Sequence, residues 1–150
     1  MLVVAGEECD SPINLNGCYR FRAMNGGEHD YQCLPFDSKR QGIMLGEAAA
    51  VVYLKKSNSI SDEEILFEFD SNCLFEMLNF GATSDGFHVV QTEPQGDGAF
   101  RAMKKACFGF EKEIKDEGFL VVNCHAAGTQ VGDLSELKAL LKLADHLQVK

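Results

Sequence analysis

The chain has 150 residues, 45% hydrophobic and 25% charged, which suits one globular domain with a sizeable core. Its 14 basic and 23 acidic residues give a net charge of −9, which argues against nucleic acid as a partner, because phosphate binding needs clustered Lys and Arg. No apolar run approaches the ~20 residues needed to cross a bilayer, and no secretion-type N-terminal pattern is read, so neither a membrane span nor secretion is expected. The cysteines (Cys9, Cys18, Cys33, Cys73, Cys107, Cys124) form no Cys-x-x-Cys pair and mostly sit in apolar runs. They read as reduced thiols of an intracellular compartment, and the absence of metal-type spacing predicts no metal site.

Met1 to Ala5 is a short apolar run, readable as a buried strand that Gly6 ends. A core strand at the very start of a chain suggests a piece of something larger. Pro12 to Met24 carries apolar residues at Ile13, Leu15, Cys18, Phe21 and Met24, a helix pattern with Pro12 near its start. Asn25 to Gln32 is a loop through Gly26-Gly27. Next comes a turn on which Asp37 and Arg40 can pair, followed by an apolar run into Val52. Glu47 lies inside that run. A buried carboxylate needs a hydrogen-bonding or charged partner, so Glu47 reads as a structural anchor. Gly46 reads as a point of close backbone approach or unusual φ.

Ser57 to Glu64 is a polar surface loop, with Ser61 and Glu64 as a capping box for a short helix through Ile65, Leu66 and Phe67. Cys73 to Ala82 reads as a strand, Thr83 to His88 as a loop with a loop histidine, and Glu93 to Gly98 as turns. Ala99, Phe100, Met103, Cys107 and Phe110 mark an amphipathic helix, and Glu111 to Gly118 a charged connection.

The stretch from Phe119 to Glu136 organises the rest. Phe119 to Val122 reads as a buried strand ending at Asn123 or His125, followed by a Gly-containing turn and a helix beginning at Asp133. Leu134, Leu137, Leu140, Leu141, Ala144 and Leu147 outline that helix, with Asp133 and Glu136 as its capping box. Open α/β proteins place their chemistry at the C-terminal ends of buried strands. His125 is therefore a candidate general base or oxyanion donor, weighed against an ordinary polar residue at a strand end. Cys124 reads as packing, because adjacent strand residues face opposite ways.

Four segments, in order, resemble the β-ketoacyl-acyl carrier protein synthases, the condensing enzymes of fatty acid and polyketide synthesis. Ala5-Gly6-Glu7-Glu8 resembles the family's Ala-Gly-Gly-x-Glu turn with two positions displaced. Pro35-Phe36-Asp37-x-x-Arg40-x-Gly42, with Leu45-Gly46-Glu47-Ala48-Ala49, is similar to its Pro-Phe-Asp-x-x-Arg-x-Gly and Gly-Glu-Gly-Ala segments, Ala48 replacing the second glycine. Thr83-Ser84-Asp85-Gly86-Phe87-His88 resembles the Ser-Ser-Asp-x-x-His loop. Asn123-Cys124-His125-Ala126-Ala127-Gly128-Thr129 through Gly132-Asp133-x-x-Glu136 resembles the Asn-x-His-Gly-Thr-x-Thr segment and its tail, with Ala127 at the first threonine.

The resemblance implies an α/β, thiolase-like α-β-α-β-α layered fold, with residues 1–150 covering the end of its first half and the start of its second and a break near 83–98. It implies His125 as catalytic, Thr129 as a contact to the pantetheine arm, and Asn123, Gly46, Glu47, Asp133 and Glu136 as structural residues near the site. The reaction implied is decarboxylative Claisen condensation of an acyl thioester with a malonyl group on acyl carrier protein. No cofactor of the chain's own is implied, since phosphopantetheine rides on the carrier. The family's nucleophilic cysteine would lie before the region matching Met1, and its Lys-x-x-x-Gly-His segment beyond Lys150. A homodimer or ketosynthase-type heterodimer is implied for the complete enzyme, in the cytoplasm or, in a eukaryote, the mitochondrial matrix. The alternative is a catalytically inactive remnant or a partner subunit like the chain-length factors. A degradative thiolase fits the Pro-Phe-Asp and Gly-Glu segments less well.

Overall fold

The computed structural model describes residues 1–7, 11–21, 32–54 and 77–149. Strand β1 (Leu2–Glu7) pairs antiparallel with β2 (Ala48–Tyr53), in register from Leu2 opposite Tyr53 to Glu7 opposite Ala48. Helix α1 (Pro12–Arg20) follows β1, with Ser11 as N-cap accepting the Asn14 N–H and Pro12 in the first turn, where its missing donor costs nothing. The rest is helical: α2 (Asp97–Cys107), α3 (Glu111–Glu117) and α4 (Gln130–Leu147). The predicted short helix beyond Ser61 lies outside the described residues, as do residues 22–31 of the predicted first helix and loop.

The core lies along one stripe of α4. Ala139, Leu143 and Leu147 are buried there with Asp133 and Ser135, a spacing of mostly four residues that puts them on one helix face. Helix α2 packs on that face through Gly96, whose φ of 74° is left-handed. A Cβ at Gly96 would stand 2.3 Å from the Ser135 carbonyl oxygen, so only glycine permits the approach. The 93–97 turn is also tied to α4 by polar bonds. The Ser135 hydroxyl donates to the Glu93 carbonyl at 2.7 Å and the Lys138 ammonium to that of Pro94 at 2.9 Å. Lys142 donates to the Gln95 carbonyl and pairs with Asp97.

Several expectations need correction. Strands β1 and β2 form, but every residue in them is exposed rather than buried. Residues 119–122 join no strand ladder, and Val121 is 84% exposed. A strand exists only where a neighbour takes its backbone N–H and C=O groups, and no described segment does so here. Residues 77–82 likewise pair with no strand, while 73–76 lie outside the described residues. Asn79 there donates from Nδ2 to the carbonyls of Lys105 and Phe108, satisfying acceptors at the end of α2. The charged connection at Glu111 is helix α3, closed by Gly118 in the left-handed conformation.

Candidate active site

Helix α4 begins at Gln130, ahead of the expected Asp133. Thr129 is its N-cap: the backbone there is extended, and its Oγ1 accepts the Gly132 N–H at 3.1 Å. The Asp133–Glu136 capping box therefore does not form. Both carboxylates reach instead to peptide groups of the turn before the helix, and Asp133 also reaches a second, distant turn.

Asp133 is 1% exposed. Its Oδ1 accepts the Gly128 N–H at 2.9 Å, and its Oδ2 accepts the Phe36 N–H at 2.7 Å. Arg40 Nε lies 3.8 Å from the same Oδ2, supplying the cation that a buried carboxylate needs. The guanidinium is otherwise spent on carbonyls: Nε donates to Thr129 at 3.2 Å, Nη2 to Gln130 at 2.8 Å and Nη1 to Asp37 at 2.9 Å. So Arg40 pairs with Asp133, and the Asp37 carboxylate accepts the Lys39 N–H instead. Gly42 completes the contact by donating its N–H to the Gly128 carbonyl at 3.0 Å. Gly128 has φ 77°, and a Cβ there would come within 2.8 Å of the Gly42 carbonyl oxygen. The two motif segments, 35–42 and 123–136, form one polar cluster.

Glu136 does the same for the histidine. Its Oε1 accepts the His125 N–H at 2.7 Å and its Oε2 the Ala126 N–H at 2.9 Å. Ala126 has φ 48°, a left-handed conformation costly for a residue with a Cβ, and the paired bonds offset that cost. The outcome is a turn that presents His125 at the surface, exposed, with its backbone fixed. Cys124 is half-buried rather than buried. Burial and then the nearby Glu136 charge push its thiol above the usual value, which suits packing and not a thiolate nucleophile.

The remaining predicted residues lie apart from this cluster or contribute less. Asn123 is exposed on the approach to His125. Glu47 is exposed beside β2, so it is not the buried anchor its apolar neighbours suggested. Gly46 has open space around a would-be Cβ and no left-handed φ, so neither expected reason for glycine applies. His88 is a loop histidine: its Nδ1 accepts the N–H groups of Val90 and Gln91, both at 3.1 Å. No group of three or more His, Cys, Asp or Glu able to hold a metal occurs among the described residues. Sequence reasoning missed the double amide grip of Glu136 and the place of Arg40 in the site. The Arg40–Asp133 pairing left no local signal.

The family described as Beta-ketoacyl synthase, C-terminal domain, matches residues 74–149, half of the chain. The chain belongs to the β-ketoacyl synthase family. The ketosynthase chain is 38% identical over 112 residues to 3-oxoacyl-[acyl-carrier-protein] synthase 2 of Mycobacterium leprae, covering 73% of itself and 24% of that protein. It is 33% identical over 121 residues to the Staphylococcus aureus protein of the same name, covering 78% of itself and 28% of the relative. A crystal structure of a β-ketoacyl synthase from Burkholderia phymatum superposes with a TM-score of 0.71 at 27% identity, over 95% of this chain and 33% of that one. The fold is thus part of a thiolase-like α/β architecture, and the chain spans about a quarter of the length of these curated relatives.

Proposed function

We propose that this ketosynthase chain contributes the first catalytic histidine and part of the pantetheine channel to a β-ketoacyl-acyl carrier protein synthase. The reaction is decarboxylative Claisen condensation of an acyl thioester with malonyl-carrier protein in fatty acid or polyketide-type synthesis. The observation that carries this reading is the docking of segment 35–42 onto the 123–136 turn through Asp133. Motifs distant in sequence meet at the turn that leads from His125 into α4, and Glu136 holds the backbone of the exposed histidine at the near end of that turn.

In this reading malonyl thioester loses carbon dioxide, and the electron pair of the broken C–C bond becomes an enolate. Negative charge gathers on the thioester oxygen, where a donated imidazole N–H stabilises it best if already in place. Fixing the peptide N–H groups of His125 and Ala126 on Glu136 supplies that preorganisation. Thr129 spends a lone pair of its hydroxyl on the helix cap, which leaves the proton to give to an amide oxygen of the pantetheine arm. The partner is acyl carrier protein, and the complete enzyme is a homodimer or ketosynthase-type heterodimer acting in the cytoplasm. The chain needs no cofactor of its own.

Ala127 favours a second reading, a silent partner subunit, because it lacks the hydroxyl of the threonine that the family carries there. One assay separates the two. The complete synthase carrying this chain, mixed with malonyl-loaded carrier protein, should release carbon dioxide, and His125→Ala should lower the rate by about a hundredfold or more. No release from the unsubstituted protein selects the silent subunit. Release that His125→Ala leaves untouched overturns the role of His125.

A further inference from the structure

We propose that Arg40 is a positioning residue for the Gly128–Thr129 turn, and through that turn for carrier-borne substrate. The link to substrate rests on the reading of Thr129 given above. The link between Arg40 and the turn stands on hydrogen bonds alone.

All three guanidinium nitrogens are engaged. Two of them grip consecutive carbonyls, Thr129 and Gln130, where the loop becomes helix α4. The third holds the Asp37 carbonyl within its own turn, so the side chain cannot swing away without losing bonds at both ends. The same cation faces Asp133, whose two oxygens hold Phe36 and Gly128. Gly128 and Thr129 are therefore held by segment 36–42 at three peptide groups: the Gly128 carbonyl by Gly42, the Gly128 N–H through Asp133, and the Thr129 carbonyl by Arg40. The direction of the Thr129 hydroxyl is set by its backbone, and among the described residues Arg40 is the one side chain that bonds that backbone and also pairs with the carboxylate beneath it. A lysine carries the charge but has one nitrogen on a flexible stem. It cannot reproduce a fork that spans two carbonyls.

The test uses isotope-labelled protein and two variants, Arg40→Lys and Arg40→Met, read by amide exchange and by titration with pantetheine. Arg40→Lys is expected to keep the melting temperature and the exchange protection of α2. It should speed exchange at the Phe36 and Gly128 amides about tenfold, as expected for a lost charge-assisted grip. It should also weaken pantetheine, followed at the Thr129 amide, by about tenfold. Arg40→Met should do both more strongly; should it fail to fold, Arg40→Lys carries the decision. A lysine variant with unchanged exchange and unchanged pantetheine affinity overturns the proposal, because charge alone would then suffice. Pantetheine that never perturbs Thr129 in the unsubstituted protein overturns the Thr129 reading instead, and exchange at Phe36 and Gly128 still decides the role of Arg40.

Discussion

The β1–β2 pair and the α2–α4 pair are made of similarly apolar sequence, yet they stand in opposite states. Val3, Val4, Val51 and Val52 lie in strands whose residues are all exposed, while α4 buries Ala139, Leu143 and Leu147. The difference is periodicity. Leu2 to Ala5 and Ala48 to Tyr53 are apolar on both faces, the pattern of strands that need cover from two sides. Helix α4 has one stripe that α2 and the 93–97 turn can cover by themselves. Its other side, with Val131, Leu134, Leu137 and Leu141 each more than 40% exposed, resembles the strands. A helix apolar on two sides belongs between two layers of a fold. Local hydrophobicity sets how much cover a segment wants, and the packing pattern decides how much of it the described residues supply.

Paired truncations put a scale on that contrast. Leu143→Ala should cost about 3 kcal/mol in chemical denaturation, because it opens a cavity at a buried site. Val51→Ala should stay within about 0.5 kcal/mol. Equal costs would mean that the strand pair is covered in solution and the contrast false. Gly96→Ala tests the helix contact itself. Its left-handed φ and the close Ser135 carbonyl predict a loss of about 2 kcal/mol, with faster amide exchange in both α2 and α4. The smallest effect concerns the loop leading into α2. The Glu93 N–H, then that of Phe87, bonds the Asp85 carboxylate and holds its pKa below the ordinary value. A carboxylate whose pKa is lowered by folding stabilises above its unfolded value of ~3.9, and that contribution fades as pH falls through the lower folded value. Asp85→Asn should therefore lower the neutral-pH plateau slightly and flatten the acid limb below about pH 4, the two stability curves converging at low pH.

Helices were largely legible from sequence, because caps and periodicity are local. Pro12 with the apolar spacing after it announces α1, and the apolar stripe from Phe100 announces α2. The strand expected at 119–122 was not realised, because strand pairing depends on distant partners that an apolar run does not encode. The start of α4 was missed although Thr129, with Gly132 three positions on, carried a capping signal. The acidic pair at 133 and 136 imitated a capping box because Asp and Glu suit both tasks. Within the site, the His125 turn stood out in the sequence, whereas the bond from Phe36 to Asp133 joins residues 97 positions apart. Motif resemblance named both ends of that bond without saying that they touch.

The turn between His125 and Thr129 passes through the left-handed region at Ala126 and again at Gly128, with one residue between. Carboxylates at fixed heights on a single helix catch peptide groups on either side of this alternation. Such a turn can accept new side chains more readily than a new length. Asn or Gly at 126 keeps the chain path, while one inserted or deleted residue would move the left-handed positions off their anchors and swing the imidazole away. Variation among natural sequences at this corner should therefore appear as substitution and almost never as an insertion or deletion.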